Sequence, residues 1–368
     1  MTTKQGFAAV TGGSGKRELA DGALDIQMGW LFIFVLVLLA ASVAWGAQDE
    51  KVAQLAKEVG GKGWIVYAAR GDNGTWDLFL MRPDGSQRRN ITNTPEYEEG
   101  GPRFSPDSKK LLYRRFVKGT EINHDLWGFQ GNLTIANSDG SNPSQIGGDR
   151  EYPWASWSPD GKQIACLTIA GIQIVDLETK KIIRELPRQG IYQQLYWSPD
   201  GKWLCGVANT SMMWTIVRMN VESGVMNIVH EFQSCTPDWF PDSKRIIYPS
   251  RPAGQPGNNG WGFTQLWYSD GEGKEAKMIY GEDDYHIYGG ALSPDGKYVL
   301  FTRCPQDGGG SEQSGAPICV MRMSDAPAIA GTSVELRKVH PDAKDAPVLQ
   351  LAGGWEPCWT YAEIGVQK

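Results

Sequence analysis

The chain has 368 residues, 41% hydrophobic and 11% aromatic, with a formal net charge of −6. Such a length and apolar content suit a folded protein with a sizeable core, and an acidic balance without a basic face excludes a nucleic-acid binder. The six cysteines lack a Cys-x-x-Cys or haem-attachment pattern and the four histidines lack metal spacing, so the common zinc and haem sites are excluded too.

Residues 1–27 read as an N-terminal tail. Within it, Gly12-Gly13-Ser14-Gly15-Lys16-Arg17 lacks the first glycine and the Ser or Thr of a phosphate loop, and no strand precedes it. Met28–Ala47 is uncharged throughout and reads as a single transmembrane helix. Trp30 and Trp45 bracket it about 22 Å apart at 1.5 Å per residue, a spacing that suits two interfacial belts. Ala40 and Ala44, four residues apart, offer a small-residue face to another helix, or simply end the span. A secretory signal cut after Ala44 or Ala47 is the competing reading. The long leader carrying Glu18, Asp21 and Asp25 favours a retained anchor. Lys and Arg are nearly balanced across the span and leave its orientation open. Residues 48–61 read as a short helical linker capped by Asp49, with Val52, Leu55, Ala56 and Val59 at helical spacing and Gly60-Gly61 closing it.

From 62 to 361 one phrase returns five times: Phe104-Ser105-Pro106-Asp107-Ser108-Lys109, Trp157-Ser158-Pro159-Asp160-Gly161-Lys162, Trp197-Ser198-Pro199-Asp200-Gly201-Lys202, Trp239-Phe240-Pro241-Asp242-Ser243-Lys244 and Leu292-Ser293-Pro294-Asp295-Gly296-Lys297. The intervals between its prolines are 53, 40, 42 and 53 residues. Pro pre-sets the turn and Asp-Gly or Asp-Ser completes it. A short apolar run follows each turn, as in Ile164-Ala165-Cys166-Leu167 and Val299-Leu300-Phe301, and reads as a buried strand. A second strand ends in a polar turn such as Pro83-Asp84-Gly85 or Ser138-Asp139-Gly140. This period predicts four-stranded antiparallel blades. Gly63-Trp64-Ile65-Val66-Tyr67 lacks a preceding turn, and Pro357-Cys358-Trp359-Thr360-Tyr361 lacks a following strand, so the two ends complete one unit. The expected fold is all-β: a six-bladed β-propeller over 62–361 behind the transmembrane helix, with 362–368 as a C-terminal tail.

The Trp-Ser-Pro-Asp-Gly-Lys phrase, its apolar strand and the downstream Asp-Gly turn resemble the repeats of the TolB-like propeller family over roughly 62–361. That resemblance implies a six-bladed propeller, a mostly periplasmic setting and action through protein–protein contacts without catalysis. The same repeats occur in the propeller halves of prolyl-oligopeptidase-like enzymes. Two features depart from the family. Its soluble founder carries an α/β domain before the propeller, for which this chain has no room, and the sixth unit here holds an extra stretch around 325–353.

Signals for chemistry are few. No Gly-x-Ser-x-Gly elbow occurs, so an enzyme is the least favoured class and no cofactor is expected beyond a cation in the channel. Asp283, Asp284 and His286 form an acidic cluster that either holds such a cation through oxygen ligands or is a solvated loop. Cys304 and Cys319 flank the loop Pro305–Ile318 and are either bridged, if the ring is extracytoplasmic, or reduced and buried. Cys166, Cys205, Cys235 and Cys358 read as core positions. Loops lengthen at one structural point in three units, Val117–Gly131, Arg251–Gly262 and Pro305–Pro317, which places them on one arc of one face. Trp127, Phe129, Trp261 and Phe263 within two of them are candidate partner anchors, since aromatics dominate interface hot spots. Trp76 and Trp214 stand at similar positions, so blade capping is the other reading. The sequence therefore points to a membrane-anchored scaffold or accessory subunit whose partners are integral membrane proteins and their extracytoplasmic domains. A periplasmic ligand or cation sensor and an envelope-integrity protein are the alternatives.

Overall fold

The computed structural model describes residues 48–120, 131–210, 213–231, 233–251, 264–305, 315–331 and 341–365. The chain forms two units, Met1–Lys51 and Val52–Lys368. Of the first unit only residues 48–51 are described, at the start of helix α1 (48–59). The helix already includes residue 48, so Asp49 lies inside it and is not its cap. The anchor segment with Trp30, Ala40, Ala44 and Trp45 lies outside the described residues. No helix among those described is long and apolar enough to cross a membrane.

The second unit is built from antiparallel strands in sets of four. β1 (Trp64–Arg70), β2 (Trp76–Met81) and β3 (Arg89–Asn90) open the chain of strands. Then come β4 (Tyr97–Phe104), β5 (Lys110–Val117), β6 (Asn132–Asn137) and β7 (Ser144–Gln145). β8 (Trp154–Trp157), β9 (Gln163–Leu167), β10 (Gly171–Asp176) and β11 (Ile182–Pro187) form the next sheet. β12 (Ile191–Trp197), β13 (Trp203–Thr210), β14 (Met213–Asn220) and β15 (Met226–His230) follow. β16 (Asp238–Trp239), β17 (Arg245–Ser250), β18 (Gln265–Asp270) and β19 (Lys277–Gly281) make another. β20 (Tyr285–Leu292), β21 (Tyr298–Pro305), β22 (Ala316–Arg322), β23 (Ile329–Ala330) and β24 (Val348–Thr360) complete the unit.

Two sets depart from the simple pattern. The irregular stretch after β22 sends β23 back to the previous sheet, where Ile329 pairs with Met278 and makes β19 an inner strand. The 13-residue β24 serves two sets at once. Its first half pairs with β22 up to Ala316↔Gly354, and its second half pairs with β1 from Ala68↔Trp355 to Trp64↔Thr360. The C-terminal strand thus completes the set that the N-terminal strand begins. Gly63 allows this pairing: its φ is +73°, and a Cβ there would sit 2.0 Å from the Thr360 carbonyl oxygen. Helix α1 covers the junction, burying Leu55 and Val59 against Ile65, Tyr67, Tyr298 and Trp359. The ordered chain runs slightly past 361, because Glu363 pairs with Arg82 at 2.8 Å and Ile364 is buried.

The repeated phrase is a self-contained hydrogen-bonded turn. Ser105 Oγ donates to Asp107 Oδ1 at 2.7 Å and accepts the Lys110 amide at 3.0 Å, while Asp107 Oδ1 accepts the Lys109 amide at 3.1 Å. The same pattern recurs at Ser158, Ser198 and Ser293. Where Phe240 replaces Ser, Asp242 instead takes the amides of Lys244 and Arg245 and the Arg245 guanidinium. The fourth turn residue is left-handed in every copy, at Ser108, Gly161, Gly201, Ser243 and Gly296.

Neighbouring turns touch in succession. A Cβ on Gly161 would meet Pro106 at 3.7 Å, one on Gly201 would meet Pro159 at 3.9 Å, and one on Gly296 would meet Pro241 at 2.9 Å. The Asp200 amide donates to Ser243 Oγ at 2.9 Å, and the Tyr361 hydroxyl donates to Asp295 at 2.6 Å. The hydroxyls of Thr360 and Ser108, 2.5 Å apart, join the last turn to the first. Gly296→Ala is expected to cost about 1–2 kcal/mol for its left-handed backbone, plus the clash with Pro241. Gly161→Ala should carry the backbone cost alone. Paired thermal melts check this, and equal losses at the two positions would show that the turn-to-turn packing is loose.

Candidate functional site: the central polar girdle

Each set has a leading strand that runs into the turn: β4, β8, β12, β16, β20 and the second half of β24. The residue just before the aromatic or Leu of each phrase holds the same register position, as in Arg103↔Leu112, Ser156↔Ala165, Tyr196↔Cys205, Asp238↔Ile247, Ala291↔Leu300 and Cys358↔Val66. Two residues earlier the backbone turns left-handed in five of the six strands, at Gly101, Gln194, Thr236, Gly289 and Glu356. Register shifts mark bulges there in β4, β12, β20 and β24. A bulge adds one residue to its strand and re-aims the side chains beside it. Three of the left-handed residues are not glycine, and such conformations cost about 1–3 kcal/mol each unless their surroundings hold them.

A buried network supplies that hold. Gln194 donates Nε2–H to the Tyr288 hydroxyl at 2.7 Å and accepts the Thr236 amide at 2.5 Å. Glu356 pairs with Arg114 at 3.4 Å, both almost fully buried, and the Arg114 guanidinium lies 3.8 Å from the Trp154 ring centre. Arg103 donates to the carbonyls of Pro102 (2.8 Å) and Glu356 (3.1 Å) and to the Tyr196 hydroxyl (2.6 Å). Asp238 accepts the amides of Trp239 (2.8 Å) and, from the next set, Leu292 (3.1 Å). Burial pushes the Asp238 carboxyl up to about 6 and the Tyr196 phenol up to about 12. These groups line a cavity of about 30 Å³ bounded by Arg103, Tyr196, Thr236, Asp238, Tyr288 and Glu356. It admits one or two waters, whereas small-molecule sites run to roughly 300–1,000 Å³. The signal in the sequence was the position preceding each phrase, whose six occupants share no chemistry.

Of the two readings of the acidic cluster, the cation site does not assemble among the described residues. Asp283 and Asp284 are exposed on a turn, whereas His286 is 2% exposed in β20. Glu282 beside them is engaged by Arg303 at 2.5 and 2.7 Å and by the Tyr280 hydroxyl at 2.5 Å. No group of three potential metal ligands occurs among the described residues. The Cys304–Cys319 bridge is not formed either. The register sets Cys319 opposite Phe301, three residues from Cys304, so the two thiols face opposite sides of the sheet and different core clusters. The Cys304 thiol points to the His286 carbonyl at 3.5 Å and that of Cys319 to the Pro317 carbonyl at 3.8 Å. Cys166 and Cys205 are fully buried as expected, while Cys235 and Cys358 are only partly so.

Trp127, Phe129, Trp261 and Phe263 lie outside the described residues. Trp76, at the start of β2, is fully buried, as the capping reading requires, and Trp214 is half-buried beneath Arg251. Two larger grooves lie away from this cavity. One, of about 460 Å³, is lined by Phe240, Arg245, Tyr268, Tyr298 and Arg322. The other, of about 480 Å³, is lined by Ile135, Ile146, Tyr152, Val175 and Ile182.

No family model and no curated protein matches the chain. Solved structures do. TolB from Acinetobacter baumannii aligns with a TM-score of 0.58 at 18% identity, over 81% of this chain and 66% of that one. This chain therefore spans just under two thirds of that protein's length. A protein assigned as TolB in Agrobacterium tumefaciens aligns at 0.51 and 20% identity, over 79% of this chain and 90% of that one. A chain of the nidogen/laminin complex reaches 0.50 at 10% identity, over 71% and 89%. At these identities the likeness shows the fold, which is a TolB-like β-propeller.

Proposed function

We propose that the chain is a closed six-bladed propeller that serves as a non-catalytic scaffold or accessory subunit of a membrane protein complex. Residues 28–47 would anchor it, with the propeller outside the cytoplasm. The observation that carries this reading is the small size of the central cavity. Side chains from five leading strands converge on a cavity of about 30 Å³, small for an organic ligand, which favours the faces and the larger grooves as working surfaces. The succession of turn contacts, closed by Thr360 and Ser108, supports six blades in one rigid ring. A rigid ring is a suitable platform for loops that grip a partner.

The test is isolation of the full chain from its native membranes in mild detergent. The expected result is a complex of constant stoichiometry, with Trp127→Ala plus Trp261→Ala releasing the partner while thermal stability is unchanged. A monodisperse lone protein, or full retention of the partner by the double variant, would sink the corresponding half of the proposal.

A further inference from the structure

The central cavity holds a second arrangement that partner binding does not use. A guanidinium has five N–H donors, and Arg103 commits three of them to Pro102, Glu356 and Tyr196. Two N–H groups remain beyond these three, on a side chain that lines the cavity. The Tyr196 hydroxyl accepts from Arg103, so its own proton is directed to an acceptor elsewhere. On the acidic side Glu356 is matched by Arg114. Among the described residues, Asp238 accepts hydrogen bonds from the two backbone amides of Trp239 and Leu292. The four charges sum to zero while Asp238 is ionised and to one positive charge when it carries a proton. The space suits a single water or a monatomic ion.

We propose that this cavity is a proton-coupled site for one monatomic anion such as chloride, held by Arg103 and the Tyr196 hydroxyl when Asp238 is protonated and expelled when it is ionised. The groups facing Asp238 are Arg103 of β4, Tyr196 of β12, Cys205 of β13, Tyr288 of β20, and Glu356 and Cys358 of β24. Burial raises both thiols and holds the Tyr196 phenol at about 12, so those three stay neutral from acid to mildly basic pH. Asp238, pushed up to about 6 by burial, is the switch. Its ionised form sets a negative charge beside the anion in a half-buried space, where Coulomb repulsion exceeds that in bulk water. Binding therefore takes up one proton per anion at neutral pH.

The test uses the full-length chain, with chloride titrated against gluconate at constant ionic strength and thermal unfolding as the readout. Chloride should raise the melting temperature at pH 5. Between pH 5 and pH 7.5 the protonated fraction of a carboxyl titrating at about 6 falls from roughly nine-tenths to about 3%, so affinity should weaken roughly thirty-fold. Asp238→Asn, neutral and isosteric, should bind equally at both pH values. Arg103→Gln should abolish the chloride effect, and Tyr196→Phe, which keeps the ring, should weaken it. Crystals soaked in bromide at pH 5 should show an anomalous peak within hydrogen-bond reach of Arg103. Identical wild-type melting in chloride and gluconate at pH 5 would overturn the proposal. So would a chloride effect left unchanged in both Arg103→Gln and Tyr196→Phe, or a pH-dependent one in Asp238→Asn.

Discussion

Deleting residues 355–368 is expected to leave a chain that no longer unfolds cooperatively. The deletion removes the leading strand that pairs with β1 from Ala68 to Trp64 and opens an edge in the middle of a sheet. Trp355 is fully buried and Trp359 nearly so. Burying one such ring removes about 150–250 Å² from water, worth roughly 4–6 kcal/mol at 25 cal/mol/Å². Two rings together rival the roughly 5–15 kcal/mol by which a whole domain is stable. The deletion also strips the Arg114 guanidinium of the Glu356 carboxylate and the first turn of its Thr360 contact. Glu356→Gln isolates the electrostatic share. With β24 intact it should cost about 3–5 kcal/mol, because Arg114 stays buried without that carboxylate. Denaturant unfolding followed by tryptophan fluorescence and circular dichroism decides. A truncated chain with one coincident transition at the wild-type midpoint would falsify the closure argument.

The second large effect is a compensation in pH. Burial holds His230 down at about 4, with its Nε2 3.0 Å from Ser250 Oγ and its ring stacked 4.9 Å from Tyr248. Its native state binds fewer protons than the unfolded chain, so stability is present above about 6.5 and is lost as pH falls toward 4. Asp238 has the opposite sign. Its native carboxyl titrates at about 6, above its unfolded value of about 3.9, so its contribution is fully present below 3.9 and is lost as pH rises through 6. At 1.36 kcal/mol per pKa unit each change is on the order of 3 kcal/mol. The two therefore offset each other between pH 4 and 6.5, and each is read as the difference between a variant's pH profile and that of the wild type, in which the other carboxylates cancel. Asp238→Asn should expose a loss of about 3 kcal/mol on acidification through that window, and His230→Gln a gain of similar size. The measurement is denaturant unfolding across pH in gluconate buffer, where anion binding adds nothing. Parallel profiles for wild type and both variants would show that neither group titrates as its surroundings dictate.

The sequence by itself determined the parts of this protein whose physics is local. The turn phrase is legible because its hydrogen bonds close within six residues, from Ser105 to Lys110, and a short-range circuit must be written in neighbouring letters. The strands after each turn were legible for the same reason, as was the pairing of the two chain ends, since the broken repeat leaves one half at each terminus. The helix over 48–59 was visible from its spacing, though not its start, because a cap signal such as Asp49 competes with whatever precedes it. Of the two readings of Cys304 and Cys319, the bridged one failed at the level of register. Two cysteines flanking one hairpin look adjacent, and a three-residue offset puts them on opposite faces. The cation reading of the acidic cluster failed because alternation along β20 buries His286 while the preceding turn exposes Asp283 and Asp284. Only the tertiary structure decided the girdle. Arg114 and Glu356 lie 242 residues apart, and Arg103 and Tyr196 lie 93 apart. Arg, Ser, Tyr, Asp, Ala and Cys at one repeat position carry no pattern until the sets are brought together around one cavity. There desolvation and long-range charge, which no short stretch of sequence encodes, fix what each of them does.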